Sequence, residues 1–158
     1  MAPTPGPTWQ EVFVRFNSYG PGITILSSML CASDATGRTR LYYVEDSAEL
    51  RSRIDRELAG IDGIDVLGHS ERAAEAIREI RRCQPDIVVL DLQLLEGAGI
   101  DVLKALRGAG QRPIVIVLTN HADATSREHS LKAGARYFFD KSTEFEQFLS
   151  TLTRLKQP

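Results

Sequence analysis

The stretch VVLDLQLLEGAG, Val88–Gly99, decides how this chain is read. Its opening residues are apolar without alternation, as befits a strand covered on both faces. The run then meets Asp91, an ionised carboxylate at a place where burial is costly unless a cation or hydrogen bonds compensate it. IVIVL, Ile114–Leu118, is continuously apolar in the same way and ends at Thr119. Working outward, five short apolar segments each precede a helix-like stretch: Leu41–Val44, Asp65–Gly68, Asp86–Leu90, Ile114–Leu118 and Tyr137–Phe139. Between the first two, Leu50, Ile54, Leu58 and Ile61 recur at helical spacing. Ser70 is placed to cap a helix whose face carries Ala73, Ile77 and Ile80. Val102, Leu103 and Leu106 lead to Gly108, a residue suited to a left-handed helix stop. Thr125 with Glu128, and Thr143 with Glu146, fit the capping box. The second box opens the clearest helical face, Phe145, Phe148, Leu149, Leu152 and Leu155. Strand and helix alternating at this spacing predict parallel strands joined by right-handed crossovers, an α/β three-layer sandwich of five strands with helices on both sides.

The bulk properties bound the function. The chain has 158 residues, 42% apolar and 25% charged, with a net charge of −2, which suits one domain with one full core. Lys and Arg are interspersed with Asp and Glu, without the basic run that a phosphate backbone attracts, so no nucleic-acid partner is expected. The most apolar N-terminal piece, Ile23–Ala32, is too short to cross a bilayer and lacks a basic segment before it. Cys31 and Cys83 form no metal-binding spacing and are read as two unpaired thiols in a reduced, cytoplasmic setting. Residues 1–39 hold four of the seven prolines and no sustained period, and are read as an irregular N-terminal extension. Residues 40–158 are read as the functional domain.

Sheets of this kind place their chemistry at the carboxyl ends of the strands. Glu45 and Asp46 follow the first strand, Asp91 the third, Thr119 the fourth and Lys141 the fifth. Three carboxylates packed together repel one another unless a cation sits among them. Oxygen ligands with room for water suit Mg²⁺. The charges of Glu45, Asp46 and Asp91, opposed by Lys141 and one Mg²⁺, sum to zero. A phosphoryl group on Asp91 would bring new negative charge that Lys141 and the Thr119 hydroxyl could stabilise.

With YYVEDS, VVLDLQLLEGAG, VLTN and GARYFFDKS in this order and at compatible intervals, the chain over about residues 40–156 resembles the receiver domains of two-component response regulators. The resemblance implies a flavodoxin-like five-stranded parallel sheet of order 2-1-3-4-5 with five helices. It implies Asp91 as phosphoacceptor, and Glu45, Asp46, Asp91 and the backbone carbonyl of Gln93 as Mg²⁺ ligands. Lys141 and Thr119 would stabilise the phosphoryl group, Thr119 and Phe138 would form the switch, and Gln93 and His121 would tune phosphoryl lifetime. The implied donor is a histidine kinase or histidine phosphotransfer protein. The implied output is a protein target meeting the fourth helix, fifth strand and fifth helix, with homodimerisation left open. Two departures stand out: Ser142 follows Lys141 where the family usually has a proline, commonly cis, and Leu95 stands where a proline is common. A cis bond before Ser142 would cost about 3–4 kcal/mol.

The last helix runs nearly to Pro158, so the expectation is a stand-alone receiver. The alternatives are a phosphorelay intermediate or a fragment of a longer transcriptional regulator. From other classes come a Mg²⁺-dependent aspartyl-nucleophile phosphohydrolase, disfavoured because Gln93 stands where its second acid belongs, and a nucleotide or flavin binder, disfavoured because EDSAE offers acids instead of a glycine-rich loop.

Overall fold

Ile87–Leu90 lies at the centre of a five-stranded parallel sheet, paired with Leu41–Val44 on one side and with Ile114–Val117 on the other. The computed structural model describes residues 37–110 and 113–156. In chain order the elements are β1 (Thr39–Val44), α1 (Ala48–Ala59), β2 (Ile64–Ser70), α2 (Ala73–Cys83), β3 (Ile87–Leu90), α3 (Gly99–Gly108), β4 (Ile114–Thr119), α4 (Ala124–Ala133), β5 (Tyr137–Asp140) and α5 (Phe145–Leu155). The strand order is β2-β1-β3-β4-β5, as the resemblance implied. The chain divides into two units, Met1–Leu30 and Cys31–Pro158. The first unit, and the extension expected over residues 1–39 as far as residue 36, lie outside the described residues.

Strand alternation sorts the apolar residues between two cores. Tyr42, Val44, Val88, Leu90, Val115, Val117 and Phe138 face α2 and α3, meeting Ala76, Ile80, Val102, Leu103 and Leu106. Leu41, Tyr43, Ile87, Val89, Ile116 and Leu118 face α1 and α5, meeting Ile54, Leu58, Phe145, Phe148 and Leu152. Because both faces of β3 and β4 are covered, period-two alternation between apolar and polar disappears from their sequences. By contrast α4 buries only Ser130 within its span and leaves Leu131 exposed, so apolar packing holds it weakly.

The helix ends correct several expectations. Ser70 does not cap α2: β2 runs through it, and its hydroxyl bonds the Tyr42 hydroxyl at 2.6 Å. The first amide of α2, on Ala73, instead donates to the Glu96 carbonyl. Asp123, not Thr125, caps α4, accepting from the Ser126 amide at 2.9 Å and the Ser126 hydroxyl at 2.7 Å. These two bonds hold the Asp123 carboxyl below the usual carboxylate range. The Thr143 box is likewise replaced: Glu144 occupies the cap position of α5, and its carboxylate is engaged elsewhere. Gly108 lies inside α3, and the left-handed glycine that follows is Gly110, at φ +70°. A carboxylate two residues upstream, or a backbone carbonyl from another loop, competes with a local Ser or Thr for the same orphan amides.

Cys83, read as an unpaired thiol, is disulfide-bonded in the structure. The other cysteine, Cys31, lies outside the described residues.

Candidate functional site

At the carboxyl edge of the sheet, the strands deliver the residues expected there to one place. Glu45 continues β1 and Asp91 continues β3, with the Asp91 amide donating to the Val44 carbonyl. The Lys141 amide donates to the Thr119 carbonyl, which joins the ends of β4 and β5. Parallel register therefore makes neighbours of side chains nearly fifty residues apart.

The site centres on one ammonium. Lys141 Nζ lies 2.6 Å from Asp91 Oδ2 and 2.6 Å from Glu45 Oε2. All three are buried, at 7%, 5% and 2% exposure for Lys141, Asp91 and Glu45, so their charges are screened little by solvent. The second oxygen of each carboxylate takes an amide two residues on: Glu45 Oε1 accepts from Ser47 at 3.0 Å and Asp91 Oδ1 from Gln93 at 3.2 Å. Burial nevertheless raises the Glu45 carboxyl above its ordinary value, with Lys141 and the Ser47 amide opposing that rise.

Asp46 completes an acidic group with Glu45 and Asp91, one oxygen from each lying within 4.8 Å of the others. Asp46 is only partly covered, which leaves a side open to water. Three oxygen donors, two of them buried and one facing solvent, fit a small hard cation such as Mg²⁺. Thr119 is fully buried and its Oγ1 accepts from the His121 amide at 3.2 Å. At the rim, Gln93 Nε2 and His121 Nε2 lie 3.0 Å apart. Phe138 is buried among the residues facing α2 and α3, beneath the Arg127 guanidinium at 4.7 Å. All described peptide bonds are trans, Lys141–Ser142 included.

Sequence reading missed four residues that shape this site. Arg51, one turn into α1, donates from Nη1 to the carbonyls of Glu45 at 3.1 Å and Asp46 at 2.8 Å, and pairs with Glu71 at 2.9 Å. It thereby fixes the backbone that carries both acids; its place at helical reach from Asp46 was the available signal. Gly99 opens α3 where a Cβ would stand 2.1 Å from the Asp91 carbonyl oxygen, so only glycine lets the helix start against the strand. Arg127 and Glu144, the other two, join α4 to the segment carrying Lys141.

Residues 41–153 match the family model described as the response regulator receiver domain. Among curated proteins, a protein-glutamate methylesterase/protein-glutamine glutaminase of Carboxydothermus hydrogenoformans is 32% identical over 117 residues, covering 73% of this chain and 34% of that protein. The DNA-binding response regulator MtrA of Mycobacterium bovis is 39% identical over 102 residues, covering 63% of this chain and 42% of that protein. This chain thus spans well under two thirds of such relatives. Among solved structures, the beryllofluoride-activated N-terminal receiver domain of Klebsiella pneumoniae RstA is 31% identical at a TM-score of 0.66, covering 75% of this chain and 97% of that one. The receiver domain of the putative regulator NarL from Mycobacterium tuberculosis, 21% identical, shares the fold at a TM-score of 0.69 over 74% of this chain and 94% of that one.

Proposed function

Because the chain belongs to the response regulator receiver domain family, we propose that it is a phosphorylation-controlled switch whose phosphoacceptor is Asp91. The observation that carries the reading is the buried Lys141 ammonium bridging Asp91 and Glu45 at 2.6 Å each. A structural ion pair needs one carboxylate; a lysine shared by two, beside a third acid, leaves two negative charges unbalanced, the deficit that a divalent cation fills before a phosphoryl group arrives.

An Asp91 carboxylate oxygen attacks the phosphorus of a phosphohistidine on a histidine kinase or histidine phosphotransfer protein. The new O–P bond forms as the N–P bond breaks, and the leaving imidazole nitrogen keeps the electron pair. Lys141 offsets the charge gathering on the phosphoryl oxygens, and the Thr119 hydroxyl donates to one of them. Glu45, Asp46, Asp91 and the Gln93 backbone carbonyl would hold Mg²⁺, which supplies charge neutralisation at the transferring group. Water later cleaves the acyl phosphate, returning the Asp91 carboxylate and inorganic phosphate, with Gln93 and His121 at the rim tuning its access. Turnover is thus confined to the chain's own Asp91, and the protein is a switch, not an enzyme acting on a separate substrate.

The output runs through Thr119 and Phe138 to the α4–β5–α5 surface, where a protein partner, or a second copy of this chain, reads the state. Among the described residues no helix is long and apolar enough to cross a membrane, and a cytoplasmic setting fits a phosphohistidine donor. Asp91→Asn is expected to abolish Mg²⁺-dependent labelling by acetyl phosphate. Label retained at that residue's peptide would overturn the assignment.

A further inference from the structure

Lys141 must be held in place without the proline that usually follows it, and the structure shows what holds it. The Asp140 carboxylate accepts from the amides of Ser142 at 2.7 Å and Thr143 at 3.2 Å, folding the chain back immediately after the lysine. The Glu144 carboxylate oxygen Oε2 accepts from the Asp140 amide at 2.8 Å, while the Glu144 amide donates to the Asp140 carbonyl at 2.9 Å. The segment is therefore closed by side chains that stand on either side of Lys141.

That closed segment is tied to α4 through one guanidinium. Arg127 Nη2 pairs with the same Glu144 oxygen at 3.0 Å, Nη1 donates to the Phe138 carbonyl at 3.0 Å, and the group lies over the Phe138 ring. Arg127 thus grips the chain three residues before Lys141 and three residues after it. Because α4 buries so little of itself, this grip is a large part of what joins the helix to the β5–α5 segment.

We propose that Arg127 and Glu144 are positioning residues for Lys141, forming a latch through which α4 and the phosphorylation site sense each other. The latch rests on the phosphoacceptor reading above and adds to it a route that bypasses Thr119. A shift of α4 withdraws the guanidinium from Glu144, frees the Asp140 amide and loosens the backbone bearing the lysine. Conversely, a Lys141 drawn toward a phosphoryl group pulls on α4. Two bonded arrangements of one element, biased from both ends, are the physical content of such coupling.

The test compares amide spectra and acetyl phosphate labelling of the full chain with those of Arg127→Met, Glu144→Ala and Glu144→Gln. Beryllium fluoride with Mg²⁺ is expected to shift wild-type amides both beside Asp91 and along α4. In Arg127→Met and Glu144→Ala the shifts beside Asp91 persist while those in α4 shrink to less than half. Labelling slows about tenfold, within the roughly 100-fold that a 1 Å misplacement of a positioned group can cost. Glu144→Gln, which keeps an acceptor for the Asp140 amide, recovers most of the rate, and the double variant is no slower than either single one. Folded variants that match wild type in both rate and α4 response would overturn the latch. A wild type whose Asp91 region ignores beryllium fluoride would overturn the phosphoacceptor reading itself, and the latch with it.

Discussion

Lys141→Met isolates what the buried ammonium does, because methionine keeps the apolar stem and removes only the charge. Glu45 and Asp91 are then two buried carboxylates facing each other. Their ligand oxygens lie within 4.8 Å of each other, and unit charges at that separation or closer repel, at an effective dielectric of about 20, by about 3.5 kcal/mol or more. This agrees with the roughly 3–5 kcal/mol lost when one partner of a buried ion pair is removed. For a domain of this size the loss lowers Tm by about 10 °C. Glu45 sets the pH dependence. Its carboxyl is raised above the ordinary 4.5 by burial, so the native state holds that proton more tightly than the unfolded chain does. Stability from this group is therefore present at low pH and is lost as pH rises from the ordinary carboxylate range through the raised value. The deficit of Lys141→Met relative to wild type is accordingly largest near about pH 8 and narrows as pH falls toward about 5. At one fixed Mg²⁺ concentration the variant gains more than wild type, because without the ammonium its acids hold the cation more tightly, and its gain is about 2.7 kcal/mol at about 100 times its dissociation constant. Urea denaturation of both proteins, with chelator or with Mg²⁺, measures each quantity. Equal stabilities in chelator at the higher pH, a deficit that deepens on acidification, or no narrowing with Mg²⁺ would refute the electrostatic account.

Other outcomes follow from the same geometry. Mg²⁺ affinity, measured calorimetrically, is expected to weaken as pH falls through the raised Glu45 range, because a proton and the cation compete for the same oxygens; a flat profile would remove Glu45 from the ligand set. Gly99→Ala places a methyl 2.1 Å from the Asp91 carbonyl oxygen and is expected to cost well over about 2 kcal/mol and to abolish acetyl phosphate labelling. Gly108→Ala, where a Cβ meets nothing within 4 Å, is expected to stabilise by about 0.5–1 kcal/mol, and thermal melts of the pair distinguish steric exclusion from helix propensity. Phe148→Ala empties a fully buried position between Phe139 and Phe145, costing about 3–5 kcal/mol in urea denaturation; a loss below about 1 kcal/mol would contradict the core assignment.

The amino-acid sequence by itself determined the α/β class, the five strands, the sorting of apolar residues onto helices and the gathering of Glu45, Asp46, Asp91, Thr119 and Lys141. Burial writes a local pattern: a strand covered on both faces loses polar alternation, and a carboxylate or lysine at its end stands out against it. Only the tertiary structure decided which polar groups meet. Ser70 turned to Tyr42 instead of capping α2, Asp123 displaced Thr125 at the start of α4, and Cys83 entered a disulfide. Arg51 settled on the carbonyls of Glu45 and Asp46, and Arg127 reached across β5 to Glu144. Apart from the disulfide, each of these partnerships joins groups that have several chemically equivalent candidates along the chain. The choice among them depends on where the crossovers set the backbone in space, to within the few tenths of an ångström over which a hydrogen bond forms or fails.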